Sequence, residues 1–316
     1  MPISLMPSAP DVHICEVAPR DGLQNLPAFV ATEAKCALID AIVAAGVLEV
    51  DAGSFVPPKV IAQFADVDTV IAHALTHKDT TVGTLVPNFK GAERAIKAGV
   101  DSIYFVISAS ETHNRANVRR TTSEQLEGFR AVRAAIDTLG AGAPPHLMGA
   151  IATAFGCSME GRIGEAAVCR LAVAYAEAGA DEIGLADTVG YATPPLIKQI
   201  VAAVRREVGA AMTLRLHLHD TLGMGLANAM AGLDAGIRRF DASVSGLGGC
   251  PFAPGARGNI VTEDLVFMLE EMGLSTGIDL DRLMATRAIL AQHIPPHQLT
   301  GHLHEAGIPR ALRKAS

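Results

Sequence analysis

An alanine-glycine pair followed at once by a short strand-like segment recurs at residues 45, 98, 178 and 235. Ala45-Gly46 precedes residues 47–51, Ala98-Gly99 precedes 100–107, Ala178-Gly179 precedes 181–185, and Ala235-Gly236 precedes 238–244. Each pair ends an alanine-rich amphipathic stretch, as a helix does when it closes on a glycine that accepts the left-handed conformation. Four further apolar segments, 12–17, 81–86, 146–152 and 214–219, interleave with these. Helical stretches are expected to begin near Thr32, Val60, Phe89, Ser123, Gly164, Pro194, Leu226 and Val261. Pro194 after Thr193 fits a threonine cap with proline in the first helical position. Strands separated by helices must pair in parallel, because the helix carries the chain back to the same end of the sheet. Eight such units predict a TIM (β/α)8 barrel, a fold of about 250 residues. A doubly wound open sheet is the rival, but no strand–G-x-G-x-x-G–helix signature supports it.

The chain of 316 residues leaves room around that barrel. Residues 1–11 read as an N-terminal extension, 12–272 as the catalytic barrel, and 273–316 as a short C-terminal helical appendage packed on it. With 49% hydrophobic and 19% charged residues the chain can bury a large core and is not a disordered one. Its net charge of −7 and its scattered Lys and Arg argue against nucleic acid or an anionic membrane as partner. No apolar run approaches the roughly 18 residues of a membrane span, and the best, 37–48, contains Asp40. Residues 1–11 show neither the basic start nor the apolar core of a targeting peptide. Five cysteines without a C-x-x-C pair form no disulfide framework. A cytoplasmic enzyme of metabolism is the expectation.

Barrel active sites lie at the C-terminal ends of the strands, which ranks the polar residues by position. The first strand runs into Pro19-Arg20-Asp21-Gly22-Leu23-Gln24-Asn25, an adjacent cation and carboxylate at the mouth. The seventh ends in Leu214-Arg215-Leu216-His217-Leu218-His219-Asp220, where alternation puts Arg215, His217 and His219 on one face. Two imidazoles at that spacing are half of a metal site, whereas a lone buried histidine is usually a hydrogen-bonded core residue. His302-Leu303-His304 has the same spacing without a strand around it, and reads as solvated or as a subunit contact. His73 and His77 fall one turn apart on an outer helix, where an exposed face is expected. After the eighth strand, residues 245–259 hold five glycines and Cys250, a segment able to move as a lid, and end at Asn259. Cys36 and Cys169, by contrast, read as small apolar residues on helices. Asp21, His217, His219 and Asn259 together offer two oxygens and two nitrogens. That set suits Mg²⁺ or Mn²⁺ with positions left for substrate, and the ligand types fit Zn²⁺ and Fe²⁺ too.

On these motifs the sequence resembles the 3-hydroxy-3-methylglutaryl-CoA lyases, among the metal-dependent barrel lyases and Claisen-type synthases. The resemblance rests on residues 19–25, Ser54-Phe55-Val56 with Pro58-Lys59, Pro87-Asn88, His217-x-His219-Asp220-Thr221, and residues 245–259 running into Thr262-Glu263-Asp264-Leu265. It spans about residues 12–290, and the Gly-Gly-Cys-Pro-Phe-Ala loop is its most specific part. The resemblance implies cleavage of a 3-hydroxyacyl-CoA to acetyl-CoA and a keto acid, in leucine or related breakdown, by a homodimer or higher homo-oligomer. It implies catalytic roles for Arg20, Cys250, His217 and Glu263, with Cys250 in proton transfer on the lid. It implies substrate contacts at Arg20, Gln24, Asp51 and Ser110. Segment 108–120, with Ser108, Ser110, His113 and Asn117, is expected as a long loop around the acyl chain and CoA. One position departs: Asp51 stands where the parent lyases carry glutamate, which points to a different branched 3-hydroxyacyl-CoA as the alternative substrate. Glu49 shares its face but lies deeper. A condensing synthase or aldolase, and a non-catalytic scaffold, are the other readings; the cysteine loop speaks against the first and the retained site residues against the second.

Overall fold

A computed structural model describes residues 9–139, 144–249 and 257–308. Eight parallel strands close on themselves in sequence order: β1 His13–Glu16, β2 Glu49–Ser54, β3 Thr81–Val86, β4 Ser102–Ser108, β5 His146–Ala152, β6 Glu182–Asp187, β7 Thr213–Leu218 and β8 Arg239–Ala242. Between and after them run α1 Thr32–Ala44, α2 Val67–Ala74, α3 Phe89–Ala98, α4 Glu111–Val118, α5 Thr122–Asp137, α6 Glu165–Glu177, α7 Pro194–Val208, α8 Gly225–Asp234 and α9 Thr262–Glu271. The TIM barrel expected from the repeat is the fold. No helix among the described residues is long and apolar enough to cross a membrane.

The repeated glycines do what their position predicts. Gly46, Gly99, Gly179 and Gly236 all take positive φ, between 78° and 94°, after α1, α3, α6 and α8. They turn the chain into β2, β4, β6 and β8, so the repeat marks every second βα unit. Helix starts are set locally as well. The Asn88 side chain accepts from the Gly91 N–H at the start of α3, and Thr121 forms a reciprocal capping box with Glu124 at α5. Pro194 does occupy the first position of α7, but the Thr193 side chain makes no cap bond, which corrects the expected threonine cap. The segment expected as a long loop after β4 contains α4, and the helix expected from Val60 begins only at Val67.

Beyond the barrel, α10 Leu280–Ala285 and α11 Arg287–Leu290 pack on α1, and α12 His302–Ala306 packs on α9. Leu283, Leu290, Ile294 and Leu299 join the same buried core as the barrel. The backbone N–H of Thr300 donates to the Ser245 carbonyl at 2.8 Å, tying this cover to the segment that follows β8.

Inside the barrel the lower layer is ionic. Arg215 is buried and donates to Glu49 at 2.7 Å, Glu182 at 2.8 Å and Asp241 at 3.2 Å. Arg239 reaches Glu49 and Glu182 from below, and the Tyr104 hydroxyl donates to Glu49 at 2.9 Å. Burying charge is costly, so such a cluster holds only while every member is paired. Replacing Arg215 by Met leaves three buried carboxylates short of a partner. Urea unfolding of Arg215→Met should show a loss of roughly 3–5 kcal/mol; a loss under about 1 kcal/mol, the worth of an exposed pair, would contradict this picture.

Candidate active site

The chain leaves β1 in one wide helical turn, Ala18–Gly22, in which the N–H groups of Arg20, Asp21 and Gly22 converge on the Val17 carbonyl. This turn folds Arg20 and Asp21 back over the barrel mouth, where both are buried. Two strands away around the closed barrel, on β7, His217 and His219 point the same way, as strand alternation requires. Their Nε2 atoms lie 3.2 Å apart, and Asp21 Oδ2 stands 3.8 Å from His217 Nε2 and 3.5 Å from His219 Nε2. One oxygen and two ring nitrogens thus gather within 4.8 Å of one another.

Asn259 reaches the same point through the backbone. It bridges to His219 in antiparallel fashion, and the flanking Gly258 carbonyl and Ile260 N–H pair with Asp220 and Leu218. Its Nδ2 donates to Asp21 Oδ2 at 2.8 Å and to the Leu247 carbonyl at 3.0 Å, while its buried Oδ1 has no partner. Gly248, with φ of +121°, leaves room for it: a Cβ there would lie 2.5 Å from Asn259 Nδ2.

Electrostatics differentiate these groups. Burial works against the Asp21 charge, but Arg20 and both histidines outweigh it and hold the carboxyl well below its usual range. Burial also disfavours a charged His217, yet the Asp241 hydrogen bond and Asp21 raise its pKa, while burial leaves His219 lowered. Asp241 Oδ2 lies 3.1 Å from His217 Nδ1, and Asp241 is the register partner of His217 between β7 and β8. It fixes which ring nitrogen is free to face Asp21. Sequence reading overlooked Asp241; a lone acid on the inward parity of an apolar barrel strand was the available signal.

Arg20 bonds Asp21 through Nη1 and donates from Nε to Asp51 Oδ2 at 2.6 Å. Asp51 keeps Oδ1 buried and unpartnered, and burial, outweighing Arg20, pushes its carboxyl up to about 7. Above the cluster opens a cavity of about 720 Å³, lined at its polar end by Arg20, Asp21, Gln24, Asp51, His217, His219 and Asp241. Its walls carry Phe29, Val56, Val60, Ile61 and Val118, and its rim Asn25, Asn117 and Arg119. Glu49 is excluded as a substitute for Asp51, being held below by two arginines.

The HMGL-like family model matches residues 11–290. Human mitochondrial hydroxymethylglutaryl-CoA lyase is 38% identical over 281 residues, 89% of this chain and 85% of that protein. Hydroxymethylglutaryl-CoA lyase YngG of Bacillus subtilis is 39% identical over 280 residues, 89% of this chain and 92% of that one. The chain belongs to the HMGL-like family. Among solved structures, an HMG-CoA lyase from Acinetobacter baumannii in complex with coenzyme A and 3-methylmalate is 41% identical, with a TM-score of 0.88 over 96% of this chain and 98% of that one.

Within this HMGL-like site the sequence expectations divide. Arg20, Gln24, Asp51, Asp21, His217 and His219 line one cavity, and Asn259 adjoins it. Ser110 does not line it: it caps α4, its hydroxyl accepting the His113 N–H at 3.0 Å. Glu263 does not line it either. Its buried carboxylate takes the Ser245 N–H, at 3.0 and 3.2 Å, where Ser245 has the left-handed φ of 58°. The contact holds the backbone at Ser245, where the chain leaves β8. Cys250 lies outside the described residues.

Asp241→Asn keeps the shape but loses the charge behind His217, so the affinity for Mn²⁺, followed by calorimetric titration, should fall by roughly 10–100-fold; unchanged affinity would remove Asp241 from the site. A carboxyl raised to about 7, as Asp51 is, binds its proton more tightly folded than unfolded, where carboxyls titrate near about 3.9. Its contribution to stability is complete below the unfolded value and is lost as pH rises through the folded one. The metal-free protein should therefore lose melting temperature as pH rises through about 7, less steeply in Asp51→Asn. An equal slope in both proteins would contradict the assignment.

Proposed function

We propose that this chain is a divalent-metal-dependent carbon–carbon lyase that cleaves 3-hydroxy-3-methylglutaryl-CoA to acetyl-CoA and acetoacetate. The observation that carries the reading is the gathering of Asp21 Oδ2, His217 Nε2 and His219 Nε2 beside Arg20 in the lining of a cavity of about 720 Å³, roomy enough for an acyl chain. The residues fit a cation. Three donor atoms already converge, the donors are hard oxygens and imidazoles without thiolate, and Asn259 Oδ1 is a buried acceptor with no partner. A half-turn of the Asn259 amide would exchange its nitrogen for that oxygen beside Asp21. Asp21, His217, His219 and Asn259 would hold the ion, Mg²⁺ or Mn²⁺, which when bound makes a chelated tertiary alcohol more acidic.

The chain's own residues supply the rest of the retro-Claisen cleavage. Asp51 lines the cavity with a free oxygen and a pKa of about 7, so it is suited to take the hydroxyl proton. As the O–H electrons form the new ketone, the bond between C2 and C3 breaks and its electrons pass to the thioester oxygen. Arg20, fixed by Asp21 and Asp51, offers a preorganised guanidinium to that enolate oxygen. A proton returned to C2 completes acetyl-CoA; by family resemblance Cys250 takes part in that return. The substrate's CoA would leave along the apolar walls toward Asn117 and Arg119. The complex of the Acinetobacter baumannii relative with coenzyme A and 3-methylmalate supports an acyl-CoA and a hydroxy-acid in such a cavity. Asp51 favours one second reading, the same chemistry on a different branched 3-hydroxyacyl-CoA, because it is a methylene shorter than glutamate. Residues 12–272 as the catalytic unit with 273–316 as its cover, assembly as a homo-oligomer, and a cytoplasmic setting belong to this reading.

The test is acetyl-CoA release from a panel of CoA thioesters. 3-Hydroxy-3-methylglutaryl-CoA should turn over, EDTA should abolish the reaction and Mn²⁺ or Mg²⁺ restore it. Arg20→Met should lower kcat by at least about 10²-fold, the usual cost of losing an oxyanion partner. Fast turnover of another branched substrate beside negligible turnover of this one would select the second reading, and EDTA-resistant activity would refute the metal site.

A further inference from the structure

A second gathering of metal-type donors lies on the outer wall of the barrel, away from the mouth. Asp40 sits in α1, His73 in the last turn of α2, and His77 in the turn just beyond it. Their spacing of one helical turn predicts an exposed face for the two histidines. They instead lean onto the neighbouring helix, and both Nε2 atoms lie 2.7 Å from the same oxygen, Asp40 Oδ1. The rings meet edge to face with centroids 5.9 Å apart.

We infer that Asp40, His73 and His77 form a second divalent-cation site, of the zinc class, that clips α1 to α2. Three ligand atoms from two elements meet at one point, which is the donor count of an open zinc site with water in the fourth position. Two imidazoles with a single carboxylate favour Zn²⁺, Co²⁺ or Ni²⁺ over Mg²⁺ or Ca²⁺, which prefer oxygen throughout. The side chains are accessible, at 49% for Asp40, 34% for His73 and 25% for His77, so an ion can reach them. Ligands of a tetrahedral ion with bonds near 2.05 Å stand about 3.3 Å apart. The observed 2.7 Å must therefore widen by roughly half an ångström, within reach of half-exposed side chains.

The bland alternative is a pair of surface hydrogen bonds, each worth little. It accounts for one histidine on Asp40 as well as for two, and gives no reason for both ring nitrogens to share one oxygen. A cation there would add stability by mass action and would brace the wall around β2, the strand that carries Asp51. α1 leads into that strand and α2 follows it.

Equilibrium dialysis of the whole protein against micromolar Zn²⁺ tests the site independently of the reaction. The wild type should take up one more ion per chain than His77→Ala or His73→Ala, while lyase turnover with Mn²⁺ stays the same in all three. His77→Gln, able to hydrogen-bond Asp40 but not to replace imidazole as a ligand, should lose the ion like the alanine variant. Amide exchange should slow in α1 and α2 on adding Zn²⁺ to the wild type and not to His77→Gln. Equal zinc uptake by wild type and the variants, or unchanged exchange in these two helices, would overturn the proposal.

Discussion

A column of alternating charge through the barrel axis is the constraint on which the site depends. It begins with Glu49 and Glu182 around Arg215, passes through Asp241 to His217, crosses to Asp21, and ends with Arg20 and Asp51. Every member is largely buried, and each is held in place by a neighbour of complementary sign or hydrogen-bonding type. No single pair in such a column is a reliable source of net stability, since desolvation consumes much of the attraction. What the column provides is position: the loss of one member leaves its neighbours unpaired and free to move.

The mouth shows the same logic with one deliberate shortfall. Arg20 serves two carboxylates, and one guanidinium fully compensates only one of them. Asp21 keeps its charge with added help from the histidines, and Asp51 is left pushed up to about 7 with an oxygen unsatisfied. Asn259 likewise leaves its amide oxygen bare. Buried polar atoms without partners are rare in a folded chain, and Asp51 Oδ1 and Asn259 Oδ1 are two of them at the barrel mouth. Glu263 and Thr300, from α9 and the C-terminal cover, grip the two sides of the Ser245 peptide. The backbone at Ser245, from which the glycine-rich segment departs, is therefore held on both sides.

Most of the barrel was legible because glycine and strand periodicity are local signals. The four Ala-Gly turns required nothing beyond the conformational freedom of Gly46, Gly99, Gly179 and Gly236. The gathering of Asp21, His217 and His219 was legible in part for the same reason: parity along β7 fixes the direction of His217 and His219, and strand order brings the turn after β1 to the same end. What the sequence left unread depended on tertiary context. A serine before a helix has one sequence signature whether it caps, as Ser110 does, or meets a ligand. An acid in a first helical turn, such as Glu263, does not reveal which backbone it holds. Segment 108–120 lacks an apolar stripe, so α4 was hidden, and Asp241 acquires meaning only once β7 and β8 are paired. The Asp40–His73–His77 cluster needed the packing of α1 on α2, which periodicity does not supply.

We propose that one cation sits in this column, held by Asp21, His217 and His219. Anomalous diffraction from crystals grown with Mn²⁺ tests it most directly. A strong peak within bonding distance of Asp21 Oδ2 and the two Nε2 atoms, with the Asn259 amide turned to present its oxygen, is the expected map. A Mn²⁺ peak elsewhere, with these three side chains still hydrogen-bonded to one another, would contradict the account.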